Sequence, residues 1–182
     1  DRQSLALAMK DCQQVYHTAA KVGLCIGESD DFYKVNVEGT RNVLDTIVQL
    51  GVEKAVFTST CGVVGPSKGE PLNEESPRMI DIDNAYDSTK KSSEDLIFQY
   101  AANGTNAVIV SPSKVYGPGN ISHSLTANAV IDLFLKKGIT FIPSPGTYQV
   151  CFAFINDVVE GHILAMDNGR SGEKYILGGI NV

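Results

Sequence analysis

Tyr86 and Lys90 are the two residues whose types and spacing point most directly to chemistry. They lie four residues apart in a segment predicted to be helical, so both side chains leave the same face of the helix. A phenol with its ordinary pKa of about 10 is a poor proton donor or acceptor at neutral pH. A neighbouring ammonium favours the phenolate and lowers the pKa of the phenol toward the working range. The pair therefore predicts acid–base chemistry at a substrate oxygen.

A hydroxyl at the end of a strand is the third candidate. The segment 54–59 is predicted to be a buried strand, and Thr60 follows it directly. A hydroxyl at the end of such a strand could point at the same substrate oxygen as Tyr86. Thr60 is therefore grouped with Tyr86 and Lys90 as a catalytic candidate.

Composition limits the class of protein. The chain has 182 residues, of which 43% are hydrophobic and 20% charged, as expected for one globular domain with a core. A net charge of -6 disfavours a nucleic-acid or anionic-membrane surface. No apolar run reaches the roughly eighteen residues that a membrane-spanning helix needs. The four cysteines are scattered without CxxC pairing, so we expect reduced thiols and a cytoplasmic location.

Strand and helix patterns alternate along the chain, which predicts an α/β layered sheet. Strands are predicted at 14–17, 54–59, 106–111, 149–154 and 174–177, and helices at 4–10, 31–50, 86–103, 125–137 and 156–168. The apolar stripe of 31–50 is assigned to core packing. Asn156 is predicted to cap the last helix, with Asp157 in its first turn. Several prolines and glycines make 62–84 a long loop.

Seven ordered motifs carry a family resemblance. They are Val15-Tyr16-His17-Thr18-Ala19-Ala20, Asn36-Val37-Glu38-Gly39-Thr40, Phe57-Thr58-Ser59-Thr60, Tyr86-Asp87-Ser88-Thr89-Lys90, Pro112-Ser113-Lys114-Val115-Tyr116-Gly117-Pro118-Gly119, Phe154 to His162 and Tyr175 to Gly179. With them the chain resembles the extended short-chain dehydrogenase/reductases, the NAD-dependent epimerase/dehydratase group, and within it the dihydroflavonol-reductase-like members. The resemblance implies a Rossmann-like, doubly wound parallel sheet and the start of a small C-terminal substrate-binding region.

The resemblance also implies roles and a cofactor, NAD or NADP. Tyr86 would give or take the proton at the substrate oxygen, Lys90 would lower the pKa of Tyr86 and hydrogen-bond the nicotinamide ribose, and Thr60 would hold the substrate oxygen. Small side chains before Lys21 would let the backbone approach the cofactor. The residues implied to bind the cofactor are Ala19, Ala20, Lys21, Thr58, Ser59, Tyr86, Lys90, Pro112 and Val115.

Two departures from the family pattern affect what we expect of the domain and of its substrate. The glycine-rich phosphate turn that opens the family fold is absent, and Asp1 lies about where the third strand has ended. We therefore expect 1–182 to be a single partial NAD(P)-binding domain of a longer enzyme, with substrate-region insertions around 119–150 and 170–182. Ser111 and Lys114 stand where many nucleotide-sugar members have Arg and Asn. This favours a small carbonyl or alcohol substrate, although Lys114 could itself meet a phosphate.

Three functions remain open at this point. The first is an oxidoreductase that transfers hydride between nicotinamide and a carbonyl or alcohol carbon, with Tyr86 as acid and base. The second is a nucleotide-sugar epimerase or dehydratase using the same three residues. The third is a non-catalytic dinucleotide-sensing domain. A small-molecule substrate is expected in the first two, and the family implies a homodimer through helices 31–50 and 86–103.

Five further residues receive structural interpretations. His17 is interpreted as a core histidine, Cys61 as a small buried filler, and Asn36 as a polar bracket between strand and helix. His123 and His162 have no partners at metal-ligand spacing, so no metal is expected.

Overall fold

The computed structural model describes residues 1–23, 30–67, 69–118, 127–138, 146 and 149–182. Its strands are β1 (Gln14–His17), β2 (Lys54–Thr58), β3 (Ala107–Pro112), β4 (Lys114–Tyr116), β5 (Cys151–Phe154), β6 (Lys174–Leu177) and β7 (Ile180–Asn181). Four of them form one sheet in the order β1-β2-β3-β6, and every neighbouring pair in it is parallel. This confirms the α/β, Rossmann-like sheet that the sequence predicts.

Helices flank the strands. They are α1 (Arg2–Ala8), α2 (Asp30–Phe32), α3 (Gly39–Leu50), α4 (Ala85–Ala102), α5 (Ala127–Lys137) and α6 (Ile155–Asn168). A π-helical segment, Tyr33–Glu38, joins α2 to α3, and a 3-10 turn, Cys61–Val63, follows β2. In the described part of the chain, no helix is both long and apolar enough to cross a bilayer.

The central strands are buried on both faces, which is typical of a doubly wound sheet. Alternate side chains of β2 and β3, such as Phe57 and Ile109, pack into a core with α1, α3 and α4. The side chains between them, such as Val56 and Val108, pack against Met166 of α6. The middle residues of both strands are therefore apolar.

The helical run before β2 differs from the prediction of one regular helix over 31–50. The wider turns of the π-helical segment rotate later residues relative to earlier ones, so one helical period does not fit the whole run. Three apolar residues of the predicted stripe, Val35, Val48 and Leu50, are exposed, and the last two lie in the regular helix α3 beside its buried face. The assignment of the whole stripe to the core was wrong for these three. The run ends as predicted at Gly51, whose φ of 69° is in the left-handed region.

A second, three-stranded sheet has the order β4-β5-β7. β4 is parallel to β5, and β7 is antiparallel to it. The sequence prediction missed β4 and β7 because strands of three and two residues are too short to show alternation. The predicted cap at Asn156 was also wrong. α6 begins at Ile155, directly after β5, and the capping position is Phe154, which makes no side-chain hydrogen bond there. Asp157 does lie in the first turn of α6.

The cleft loop, defined here as the described residues of 64–84, is held by hydrogen bonds at two places. Arg78 donates from Nη1 to the carbonyl oxygens of Gly62 and Val63, the latter at 2.9 Å, which holds the loop to the end of β2. Glu74 Oε1 accepts a 2.7 Å hydrogen bond from the backbone N–H of Ile176 at the outer edge of β6. A loop without helix or strand is thus held across the carboxyl ends of the central strands.

Candidate active site

Tyr86 and Thr60 line one cleft of about 690 Å³, bordered by the cleft loop, the turn after β2 and the start of α4. Asn84 begins α4, because its Oδ1 accepts the backbone N–H of Asp87 at 2.8 Å, and this places Tyr86 in the first turn. Thr60 precedes the 3-10 turn, and its hydroxyl accepts the N–H of Gly62 at 3.1 Å. The cleft lies where the central strands end, the usual ligand position in an open α/β sheet.

Close packing of Gly62 against α4 brings the two hydroxyl residues to the same cleft. A Cβ at Gly62 would lie only 2.1 Å from Asp87 Oδ1, so no larger residue fits here. Asp87 Oδ2 also accepts a 2.9 Å hydrogen bond from Asn84 Nδ2, which fixes the carboxylate. The turn that carries Thr60 is therefore seated directly on the first turn of α4.

Lys90 lies one helical turn below Tyr86 and is buried, with 6% of its surface exposed. Its Nζ donates a 2.5 Å hydrogen bond to the backbone carbonyl of Thr58. Burial lowers the pKa of Lys90 to about 8, while the nearby carboxylate of Glu94 acts in the opposite direction. The ammonium thus supports the end of β2 from beneath the cleft.

The expected effect of Lys90 on Tyr86 was wrong for this structure. Burial raises the pKa of the Tyr86 phenol above its ordinary value, and the carboxylate of Asp87 raises it further. The physical reason is that the Lys90 ammonium is directed to the Thr58 carbonyl. At neutral pH the Tyr86 phenol is therefore protonated and can donate its proton.

Asn36 connects the stretch after β1 to α4 and is buried. Its Oδ1 accepts the backbone N–H of Lys21 at 2.7 Å, and its Nδ2 donates to Thr89 Oγ1 at 3.0 Å. The Lys21 ammonium pairs with Asp31 at 2.9 Å. The interpretation of Asn36 as a polar bracket is confirmed. Lys21 is held by its backbone, just after the exposed Ala19 and the half-buried Ala20.

Three of the predicted cofactor residues, Thr58, Pro112 and Val115, line a second cavity of about 430 Å³ together with apolar side chains of α6. The Thr58 hydroxyl lies 2.8 Å from His162 Nε2. Because His162 Nδ1 lies 2.7 Å from the carbonyl oxygen of Val158, which can only accept, Nδ1 carries the proton and Nε2 accepts from Thr58. Apolar walls at the strand ends suit a flat nicotinamide ring.

The other predicted cofactor residues fit less directly. Ser59 is buried, and its hydroxyl donates to Glu94 Oε1 at 2.5 Å, so it faces the interior. The ammonium of Lys90 is likewise bound to the protein backbone. Within the described ranges, no glycine-rich turn opens a helix in the way that would hold a diphosphate. The described residues therefore fit the nicotinamide end of the cofactor only.

Sequence reasoning missed two charged residues of this region, Glu94 and Lys174. Glu94 is 1% exposed, and its Oε2 lies 3.3 Å from the Lys174 ammonium on β6. The only available signal was the spacing of Glu94, four residues after Lys90 on the same helix face. Such pairs usually lie on surfaces, so the spacing alone did not indicate burial.

The interpretation of Cys61 as a buried filler holds only in part, because its side chain is half-buried and borders the cleft, whereas His17 packs edge-on against Phe57 of the core. The Cys61 thiol lies along the cleft, contacts the carbonyl oxygen of Ser111 at 3.1 Å and has its pKa raised to about 11, chiefly by burial. Burial, with a contribution from Lys90, lowers the pKa of His17 to about 4, so its ring is neutral at pH 7. Among the described residues, no three His, Cys, Asp or Glu side chains are grouped as metal ligands would be. Cys25 and His123 lie outside the described residues.

Comparison with known proteins finds curated proteins that are similar to nearly the whole of this chain. A sterol demethylase protein B of Methylococcus capsulatus is 34% identical over 182 residues, covering 98% of this chain and 54% of that protein. A dihydroflavonol 4-reductase-like protein of Synechocystis is 30% identical over 180 residues, covering 96% of this chain and 51% of that protein. The chain spans about half the length of these curated relatives.

A solved structure shows the same architecture. The dTDP-glucose 4,6-dehydratase DesIV of Streptomyces venezuelae, solved with NAD and TYD bound, matches 100% of this chain and 57% of its own, with a TM-score of 0.89 and 25% sequence identity. The sequence signature of the NAD dependent epimerase/dehydratase family matches residues 1–178, nearly the whole chain. The chain therefore belongs to the NAD dependent epimerase/dehydratase family, a group of enzymes within the extended short-chain dehydrogenases/reductases.

Proposed function

We propose that this chain supplies the acid–base residues of an NAD(P)-dependent oxidoreductase that acts on a carbonyl or alcohol carbon. The observation that carries the proposal is that Tyr86 and Thr60 line the same cleft, with Lys90 buried beneath it. Two hydroxyls that face one space can bind one substrate oxygen together. The cavity bordered by Pro112 and Val115 would hold the nicotinamide, which supplies the hydride when bound.

In the direction of reduction, Tyr86 donates the proton to the substrate oxygen. A pKa raised by burial and by Asp87 keeps the phenol protonated at neutral pH, which suits a donor. Thr60 donates a hydrogen bond to the same oxygen and fixes its position. Lys90 holds the carbonyl of Thr58 and thereby supports the end of β2 beneath the site.

The replacement Tyr86→Phe tests the proposal in the full-length enzyme. We expect turnover with NAD(P)H and a panel of ketones and aldehydes to fall by about a hundredfold or more, because the proton donor is lost. Cofactor affinity, measured by NADH fluorescence, should be nearly unchanged because the ring remains. Tyr33→Phe, on an exposed tyrosine far from the cleft loop in sequence, is the matched control. Turnover of Tyr86→Phe at the wild-type level would refute the proposal.

A nucleotide-sugar epimerase or dehydratase is the second candidate. Lys114 is exposed and borders the same cleft, where its ammonium could bind a phosphate of such a substrate. The DesIV structure was solved with NAD and TYD bound. NAD that copurifies with the protein, together with saturable binding of a nucleotide sugar that Lys114→Gln weakens, would favour this candidate. NAD(P) binding without turnover on either substrate panel would instead favour the dinucleotide-sensing domain.

We further infer that the protein is a cytoplasmic homodimer that uses the helical run ending in α3. Val48 is 59% exposed there and Leu50 39%, which leaves apolar surface for a second copy. The thiols of Cys12, Cys61 and Cys151 are free, as a reducing compartment would keep them. Sedimentation equilibrium distinguishes a dimer from a monomer.

A further inference from the structure

Glu94 is a buried acid that the proposed proton transfer does not use. It lies on α4 one turn after Lys90, and its side chain is 2% exposed. An ionised carboxylate in such a place needs close hydrogen-bond or charge partners, because burial without them costs several kcal/mol. Its two oxygens have separate partners, one directly after β2 and one on β6.

The partners of Glu94 connect three elements. Oε1 accepts a 2.5 Å hydrogen bond from the hydroxyl of Ser59, the residue that follows β2. Oε2 lies 3.3 Å from the ammonium of Lys174 on β6, whose side chain is 13% exposed. The backbone N–H of Ser59 also donates to the carbonyl oxygen of Val110 on β3 at 2.7 Å. Ser59 is therefore held from both its backbone and its side chain.

Ser59 lies between two residues of the candidate active site. On one side of it is Thr58, whose carbonyl accepts the Lys90 ammonium at 2.5 Å. On the other side is Thr60, which lines the cleft with Tyr86. A displacement of Ser59 would move both neighbours, and an error of about 1 Å in such a site can cost about a hundredfold in rate.

We propose that Glu94 is a positioning residue whose carboxylate fixes Ser59 and thereby sets the place of the Lys90 ammonium relative to the Thr60 hydroxyl. The inference rests on the proposed function, since these two groups matter for turnover only if Tyr86 transfers the proton. A purely structural Glu94 would stabilise the fold without affecting the rate.

Two replacements test the role. Ser59→Ala removes the one hydroxyl that Glu94 holds, and Glu94→Gln removes the charge while it keeps the shape. For both variants we expect kcat with NAD(P)H and the ketone and aldehyde panel to fall by about tenfold to a hundredfold. The affinity for NADH should change little, because neither side chain lines the nicotinamide cavity. Tyr100→Phe is the control, since it removes a hydrogen bond from α4 to Asp45 on α3, away from the cleft.

A second measurement needs no substrate. The titration of Lys90 is followed by NMR of ¹³C-labelled lysine, with Lys90→Met to assign the signal. The charged or titratable groups near Lys90 are Glu94 on α4, His17 on β1, which is neutral above about pH 4, and Lys174 on β6 beyond Glu94. In Glu94→Gln the titration midpoint should fall below the wild-type value, because the compensating negative charge is lost. In Tyr100→Phe it should not move.

The outcomes separate the two proposals. If Tyr86→Phe is inactive while Ser59→Ala and Glu94→Gln match Tyr100→Phe in kcat, whatever the Lys90 titration shows, the role of Glu94 is overturned and the proposed function stands. If these two variants show only a lower melting temperature and an unchanged kcat, the role of Glu94 is likewise overturned. If Tyr86→Phe remains active, the proposed function itself fails. Should Glu94→Gln not fold, Ser59→Ala decides the question, since it deletes a single oxygen.

Discussion

At the scale of single residues, burial and local charge decide the protonation of the candidate site. The Tyr86 phenol is kept protonated by its surroundings, whereas the Lys90 ammonium has its pKa lowered to about 8. Both groups are thus protonated at neutral pH, but Lys90 loses its charge in mild base while Tyr86 is still a protonated donor. Asp87 is the nearest charge that acts against ionisation of Tyr86.

Asp87→Asn should lower the pKa of Tyr86, because it removes that negative charge while it keeps the shape packed against Gly62. Reduction requires the protonated phenol, so the loss of kcat/KM at high pH should begin at a lower pH than in the wild type. A pH profile of ketone reduction checks this. Asp95→Asn, on an exposed acid paired with Lys91, is the control and should leave the profile in place. An unchanged alkaline limb in Asp87→Asn would contradict the assignment.

His17 should make the protein sensitive to acid. Its pKa of about 4 in the folded state is below the unfolded value of 6.5, so the unfolded chain binds more protons between these values. The free energy of unfolding therefore rises with pH across this window. As the pH falls from 6.5 toward 4, the free energy of unfolding decreases by up to about 3 kcal/mol.

His17→Gln provides the comparison, because glutamine does not titrate and can still bond to the Thr40 hydroxyl, which lies 3.4 Å from His17 Nε2. Urea unfolding at pH 7 and pH 5 should show a smaller stability loss in the variant than in the wild type. Equal losses would mean that other groups cause the acid sensitivity.

At the scale of elements, the core contribution of α3 is concentrated on one side of the helix. Leu44 is fully buried between α3 and the sheet, whereas Val48, one turn later, is largely exposed. Leu44→Ala should lower the free energy of unfolding by about 2–5 kcal/mol, since it opens a cavity. At a protein concentration where the chain is monomeric, Val48→Ala should change it by less than about 0.5 kcal/mol. Urea unfolding of the two variants measures both effects, and a similar loss in each would contradict the assigned burial.

The elements differ in how far the sequence determines them. β2 and β3 are recognisable because strands buried on both faces are uninterrupted apolar runs, and Gly51 ends α3 for a steric reason visible in the sequence. The π-helical segment 33–38 is not recognisable, since a single wide turn leaves no repeating pattern. The start of α6 depends on β5 running directly into it, which tertiary packing decides and capping preference does not.

At the scale of the whole molecule, the parallel sheet and its two helical layers follow from the alternation of patterns. The grouping of Tyr86 with Thr60 could be anticipated, because strand ends and helix starts meet at one edge of such a sheet. The Glu94–Ser59–Lys174 cluster could not, since it joins residues 35 and 80 positions apart in the chain. The direction of the Tyr86 pKa shift could not be anticipated either, because it depends on where the Lys90 ammonium points.

The hydrogen bond from Ile176 to Glu74 has a consequence for how copies of the protein meet in solution. β6 is the last strand of its sheet, and an outward N–H on such a border invites strand pairing from another chain. Here a carboxylate already occupies that donor and presents negative charge to any approaching strand. The loop that borders the cleft thus also makes this border of the sheet less available to a strand of another chain.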